Sequence, residues 1–228
     1  MNAIGFVIGD GDGAPEFKRQ AAEWVRFMKS RGDEARIVVL DVAKLPIGQR
    51  FNVVRAHLVA IAGGTAAERV GQVAFFCHGW SAALQLCPKS RVQQLAEAIA
   101  AAGASSAVLV TLYSCSTGSD LKAATSEVIG EGPGGDGGFA DMLRDALCAA
   151  EAIWCRVDAH TVLGHTTRNP YLRRFSGLGV STGGIGGQWL VTPKSAAWSR
   201  WVTACKGTLR WRFPMMAATE IHAELAEL

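Results

Sequence analysis

Residues 73–118 read VAFFCHGWSAALQLCPKSRVQQLAEAIAAAGASSAVLVTLYSCSTG. Val73 to Cys77 is a short unbroken apolar run, the pattern of a strand buried on both faces. Lys89 to Ala102 is Ala-rich and is followed by Gly103, a helix with its terminating glycine. Ala107 to Tyr113 is a second apolar run with no charged residue. Strand, helix and strand in this order form a βαβ unit of a parallel sheet covered on both sides.

The same alternation extends outward. Asn2 to Gly9 is an apolar strand, and Pro15 opens a helix to Arg31, as proline does in a first turn. Phe17, Ala21, Trp24, Val25 and Met28 give that helix one apolar stripe. Ala35 to Leu40 reads as a second strand and Arg50 to Ala62 as a helix. After the central unit come a helix at Phe139 to Ala150, a fifth strand at Ala152 to Val157 and a sixth at Gln188 to Val191. The expectation is one α/β domain over residues 1–228 with a mainly parallel sheet of about six strands. Residues 1–158 form its core, and residues 159–228 complete the sheet and a pocket.

Composition agrees with a packed domain. The 228 residues include 36 Ala and 26 Gly, and 49 % are hydrophobic against 19 % charged, which excludes a disordered chain. No repeat of 20–50 residues is present, so solenoids and propellers are excluded. Ala98 to Ser119 carries no charged residue but is broken by Gly103 and several hydroxyl residues, unlike a membrane span. The first basic residue is Lys18, so no secretory signal is expected. Six cysteines without CxxC or CxxH spacing then read as reduced thiols of a cytoplasmic protein, with no zinc site. The charge is uneven: residues 159–219 hold eight basic side chains and no acidic one. Such a block is a solvated face or an anion-facing surface.

Open parallel sheets bind ligands beyond the carboxyl ends of their strands. There the sequence places Gly9-Asp10-Gly11-Asp12-Gly13, then His78-Gly79-Trp80, then Ser114-Cys115-Ser116-Thr117-Gly118, and finally Asp158. His78 and Cys115 each follow a buried strand. If those strands are neighbours, about 4.8 Å apart, the two side chains share one cleft. A thiol beside an imidazole is a nucleophile–base pair for acyl transfer at neutral pH. Gly79, lacking a Cβ, lets a backbone N–H approach a developing oxyanion.

The order VAFFC-His78-Gly79, helix, AVLVTLYS-Cys115-Ser-Thr-Gly resembles the caspase-like cysteine peptidases: caspases, metacaspases, gingipains, clostripain and the CHAT group. LYSCSTG is most similar to the bacterial CHAT-type branch. The resemblance covers residues 2–158 in strand order. It implies a caspase-like three-layer sandwich, His78 as acid/base and Cys115 as nucleophile. It also implies the N–H groups of Gly79 and Cys115 as the oxyanion hole, and no cofactor. Branches that cleave after Arg or Lys carry Asp two residues before the Cys, where this chain has Tyr113. Asp158 is the substitute such specificity would need. Alternatively Arg168, Arg173 or Arg174 would bind an acidic side chain, as arginines do in caspases. A protein or peptide substrate is implied, with a separate regulatory protein as a further partner.

Other readings compete. Ser114-Cys-Ser116-Thr-Gly118 is a near match to a GxSxG elbow, which would make Ser116 the nucleophile of a serine hydrolase with Asp158 and His165 or His222. A chain with this fold would also serve as a non-catalytic adaptor for an anionic partner through residues 159–219. Gly9-x-Gly11-x-Gly13 fits a dinucleotide site poorly, because Asp41 lies 32 residues after Gly9. It is expected as a flexible loop at the rim of the cleft, and its two Asp alone do not make a cation site. Gly118 to Gly138 cannot pack a core and reads as a long surface loop or a processing loop. Trp189, Trp198, Trp201 and Trp211 alternate with Lys and Arg as in single-strand nucleic-acid binders. The three-residue step from Trp198 to Trp201 fits a buried helix face better, so nucleic acid is not the expected partner. Ala217 to Leu228 reads as a short amphipathic helix.

Overall fold

The computed structural model describes residues 1–120, 136–162, 169–177 and 186–206. Its strands are β1 (Asn2–Ile8), β2 (Glu34–Leu40), β3 (Gln72–Phe76), β4 (Gly79–Trp80), β5 (Ala83–Leu84), β6 (Leu109–Tyr113), β7 (Arg156–His160), β8 (Leu172–Ser176) and β9 (Gln188–Trp189). The α-helices are α1 (Ala14–Ser30), α2 (Ile47–Gly63), α3 (Val92–Ala102), α4 (Phe139–Ala149) and α5 (Trp198–Lys206). The protein is mixed α/β with one seven-stranded sheet in the order β2-β1-β3-β6-β7-β8-β9. The first five strands are parallel, and β8 runs antiparallel to β7 and to β9.

Both faces of the sheet are covered. Phe75 and Phe76 are consecutive on β3 and therefore point to opposite sides. Phe76 meets Trp24 of α1, whereas Phe75 stacks on Phe6, which meets His57 of α2. So α1 and α2 lie on opposite faces, with α3 beside α2 and α4 beside α3. Right-handed crossovers require this, because the chain leaves β1 toward β2 and then returns past β1 to β3. The strand order reverses between β1 and β3, the position at whose carboxyl ends open α/β sheets bind ligands. One hydrophobic cluster runs from Ala3 to Trp201.

The α1 stripe is as its spacing predicts: Phe17, Ala21, Trp24 and Met28 are buried, and Val25 is partly so. Trp201 of α5 is buried with its indole N–H bonded to the Pro170 carbonyl, and Trp198 packs on Tyr171. These two tryptophans therefore pack inward.

Two strand expectations are corrected. The fifth strand is Arg156–His160, not Ala152 to Val157. Residues 151–155 form a turn, with Glu151 at φ +66° and the Cys155 N–H bonded to the Ala152 carbonyl. The sixth strand is Leu172–Ser176, and Gln188–Trp189 is a short seventh. Arg168, His165, His222, Trp211, residues 121–135 and 181–185, and the terminal segment 217–228 fall outside the described residues.

Among the described residues, no helix is long and apolar enough to cross a membrane.

Candidate active site

Three neighbouring strands, β1, β3 and β6, end side by side, and their following loops converge. Phe76 and Tyr113 are register partners. His78 and Cys115 each lie two residues beyond that pair, on strands whose spacing is about 4.8 Å. Both are half-buried.

His78 is held from three directions. Its N–H donates to the Gln85 side-chain carbonyl oxygen at 3.1 Å. Its Nε2 lies 3.1 Å from the Asp12 carbonyl oxygen and 3.6 Å from an Asp12 carboxylate oxygen. Its ring meets Phe17 edge-on, with centroids 5.1 Å apart. The tautomer that donates to Asp12 carries its proton on Nε2. Gly13 makes the approach feasible: its φ is +74°, and a Cβ there would lie 3.2 Å from Nε2. The Gly9–Gly13 segment is thus tied down where a flexible rim loop was expected. The Gly9 N–H donates to the Leu40 carbonyl, and the Asp10 carboxylate accepts from the Ala43 N–H.

Gly79 begins a tight hairpin, β4 against β5. The Gln85 N–H donates to the His78 carbonyl, and the Leu84 N–H turns outward to Cys87. Gly79 and Leu84 therefore form a non-hydrogen-bonded pair, and the Gly79 N–H points out of the hairpin. Facing Gly79 is the Cys115 turn. A Cβ on Gly79 would come within 2.7 Å of the Ser114 Cβ and the Thr117 Cγ2, and within 3.2 Å of the Cys115 carbonyl oxygen.

The turn after β6 is itself braced. Ser116 adopts the left-handed conformation, φ +53°, which costs a non-glycine residue on the order of 1–2 kcal/mol. Its N–H donates to the Val162 carbonyl, and the Gly118 N–H donates to that of His160. The first turn of α4 clasps both motifs: Phe139 N–H donates to the Ser81 carbonyl, and Ala140 N–H to the Thr117 carbonyl. Such over-determination is what holds a strained residue in place beside Cys115. The Ser116 hydroxyl is buried and has no hydrogen-bond partner among the described residues.

The expected specificity residues lie elsewhere than a cleft wall. Tyr113 is fully buried, stacked on Phe76 with centroids 4.7 Å apart. Its hydroxyl has no hydrogen-bond partner among the described residues, and burial, then the Asp158 carboxylate, holds its pKa well above 10. Asp158 sits mid-strand in β7, not at a strand end, because β7 extends to His160. It is fully buried and bound by Arg174 through two bonds of 2.9 and 3.0 Å, with Arg156 at 3.2 Å.

Arg173 is different, and its place was not predicted. It lies on β8, two strands from β6, and is register partner to Trp189 and to Ala159, on which Gly118 of the Cys115 turn packs. Its side chain is buried, and its guanidinium lies 4.5 Å from the centre of the Trp189 ring. Among the described residues, its carboxylate partner Asp120 stands 4.0 Å away and Nε has no hydrogen-bond partner. Burial lowers its pKa. Arg173 was among the three arginines raised for an acidic side chain, whereas Trp189 was legible only as a member of the basic, Trp-rich segment.

No group of three or more His, Cys, Asp or Glu side chains able to hold a metal ion occurs among the described residues. No protein-family model, curated protein or solved structure matches the chain.

Proposed function

We propose that this chain is a caspase-like cysteine endopeptidase. The observation that carries the reading is the packing of the two motifs against each other: Gly79 touches the Cys115 turn, and His78 precedes it on the neighbouring strand. In this reading Cys115 Sγ attacks the scissile carbonyl. The N–H of Gly79, turned out of its hairpin, and that of Cys115 hold the oxyanion. His78, fixed through Nε2 by the Asp12 carbonyl, takes the Cys115 thiol proton on Nδ1 as the sulfur attacks and gives it to the departing amine. The C–N bond breaks and a thioester remains. Water then adds, giving a proton to His78, which returns it to Cys115 Sγ as the acid is released.

Of the arginines raised for an acidic substrate, Arg174 is spent on Asp158, and Arg168 lies outside the described residues. Arg173 supports that specificity best: its guanidinium is buried, and among the described residues its carboxylate partner, Asp120, stands 4.0 Å off, beyond hydrogen-bond distance.

Ser116 suits a nucleophile less well, since its hydroxyl is buried and has no bonded base among the described residues. The test is digestion of a denatured proteome, with new N-termini read by mass spectrometry, for the native chain, Cys115→Ala and Ser116→Ala. Loss of cleavage in Cys115→Ala alone is the expected result. Loss in Ser116→Ala alone would make this a serine hydrolase. No cleavage by any of the three would leave the adaptor reading.

A further inference from the structure

A second pair of thiols lies apart from the candidate site. Cys148 is the penultimate residue of α4. The helix stops at Ala150, and the chain reverses through Glu151, φ +66°. Bonds from Ala152 N–H to the Leu147 carbonyl and from Cys155 N–H to the Ala152 carbonyl close the turn. It returns Cys155 alongside Cys148, with Sγ to Sγ 3.8 Å. Gly177, just past β8, completes the cluster: its N–H donates to the Cys155 carbonyl, and its own carbonyl lies 3.7 Å from Cys148 Sγ. The chain thus holds two sulfurs in van der Waals contact without a bond between them.

We propose that Cys148 and Cys155 are a site of reversible disulfide formation, closed by a hydroperoxide or a small-molecule disulfide. The roles follow from exposure. Cys148 is half-buried and open to a small oxidant, whereas Cys155 is buried. Burial, followed by the neighbouring Cys148 sulfur, pushes the Cys155 thiol up to about 12, so it meets the oxidant last. With a hydroperoxide, Cys148 becomes a sulfenic acid as the O–O bond breaks and an alcohol or water leaves. Cys155 Sγ then attacks the Cys148 sulfur, and the hydroxyl departs with the Cys155 proton as water. With a small disulfide, Cys148 forms the mixed disulfide and releases one thiol. Cys155 displaces the second. Either route removes two electrons and two protons from the pair.

The bond would tie the end of α4 to the start of β7. It is independent of Cys115, so it can be tested in the full-length Cys115→Ala chain, which keeps five of the six cysteines. That chain is treated with hydrogen peroxide, and separately with glutathione disulfide. It is then denatured, alkylated and mapped by mass spectrometry. The expected result is two fewer alkylated thiols, a linked pair of peptides carrying Cys148 and Cys155, and recovery of both thiols with dithiothreitol. Adding Cys148→Ser or Cys155→Ser should abolish the link. Full alkylation after oxidation, a stable sulfinic acid or glutathione adduct on Cys148 without a link, or a link between a different pair would each overturn the proposal. The map of the parent chain decides the matter even if a serine variant does not fold.

Discussion

Gly79 lies so close to the Cys115 turn that a Cβ on it would stand 3.2 Å from the Cys115 carbonyl oxygen and 2.7 Å from the Ser114 Cβ. Both close contacts are with atoms that cannot swing away, since one is backbone and the other sits directly on it. Gly79→Ala therefore has to push the hairpin off the turn. Overpacking of this kind costs about 1–3 kcal/mol, and displacing an oxyanion donor costs roughly 10²–10³ in kcat. Steady-state kinetics on a cleaved peptide, beside a thermal melt, separates the two. A folded Gly79→Ala chain with unchanged kcat would remove Gly79 from the oxyanion hole.

Gly13 carries a second constraint, this time on the imidazole. Its φ of +74° disfavours any side chain, and an added methyl would stand 2.9 Å from Phe17 Cε2 and 3.2 Å from His78 Nε2. Gly13→Ala should break the bond from His78 to the Asp12 carbonyl and lower kcat, with little change in KM. Asp12→Asn keeps that carbonyl and should retain most activity. Equal losses in the two variants would mean that the carboxylate, not the backbone, positions the ring.

Tyr113 gives a prediction in pH. Its pKa is raised in the folded state, so between about 10 and that higher value the unfolded chain has lost a proton that the folded chain keeps. The stability this represents is complete below about pH 10 and is lost as pH rises toward the folded value, at about 1.4 kcal/mol per pH unit. Tyr113→Phe should lift the alkaline unfolding midpoint, followed by tyrosinate absorbance and circular dichroism. At neutral pH it should be neutral or mildly stabilising, because it removes a buried hydroxyl that lacks a hydrogen-bond partner. A changed cleavage preference in Tyr113→Phe would return this residue to the substrate pocket.

Asp158 is expected to matter for folding. Asp158→Ala leaves the half-buried Arg174 and Arg156 guanidiniums without their fully buried carboxylate, a loss toward the lower end of the roughly 3–5 kcal/mol of a broken buried pair. Chemical denaturation measures it. A variant as stable as the parent, with altered specificity, would show that Asp158 serves the substrate instead.

Arg173→Ala should lower kcat/KM for peptides with an acidic side chain before the cut, and leave neutral peptides nearly unchanged. Arg173→Lys should rescue part of the loss, since it restores charge without the planar fork. An unchanged library profile in Arg173→Ala would separate this residue from recognition.

Sequence and structure agree where burial is simple. VAFFC and AVLVTLY announce two central strands because both their faces are covered, so no charged residue interrupts them. β7 and β8 were hidden for the opposite reason. Arg156, Asp158, His160, Arg173 and Arg174 look like surface residues, yet Arg156 and Arg174 both pair with the buried Asp158 carboxylate on the sheet. No single-strand pattern reveals that pairing. The glycine loop after β1 was legible as a loop, but its contact with His78 depends on which strands are neighbours. His78 and Cys115 could be picked out because each follows a legible strand.

The pieces of the candidate site hang from three consecutive strands: a carbonyl after β1, an imidazole and a glycine after β3, a thiol after β6. Their spacing is set by the ladder of a parallel sheet, which does not slip without turning every side chain to the wrong face. The antiparallel margin, β8 and β9, takes no part in that indexing. In the peptidase proposed here, substitutions at Arg173 or Trp189 on that margin would change which side chains are accepted, while the strand ends that carry His78 and Cys115 keep their register.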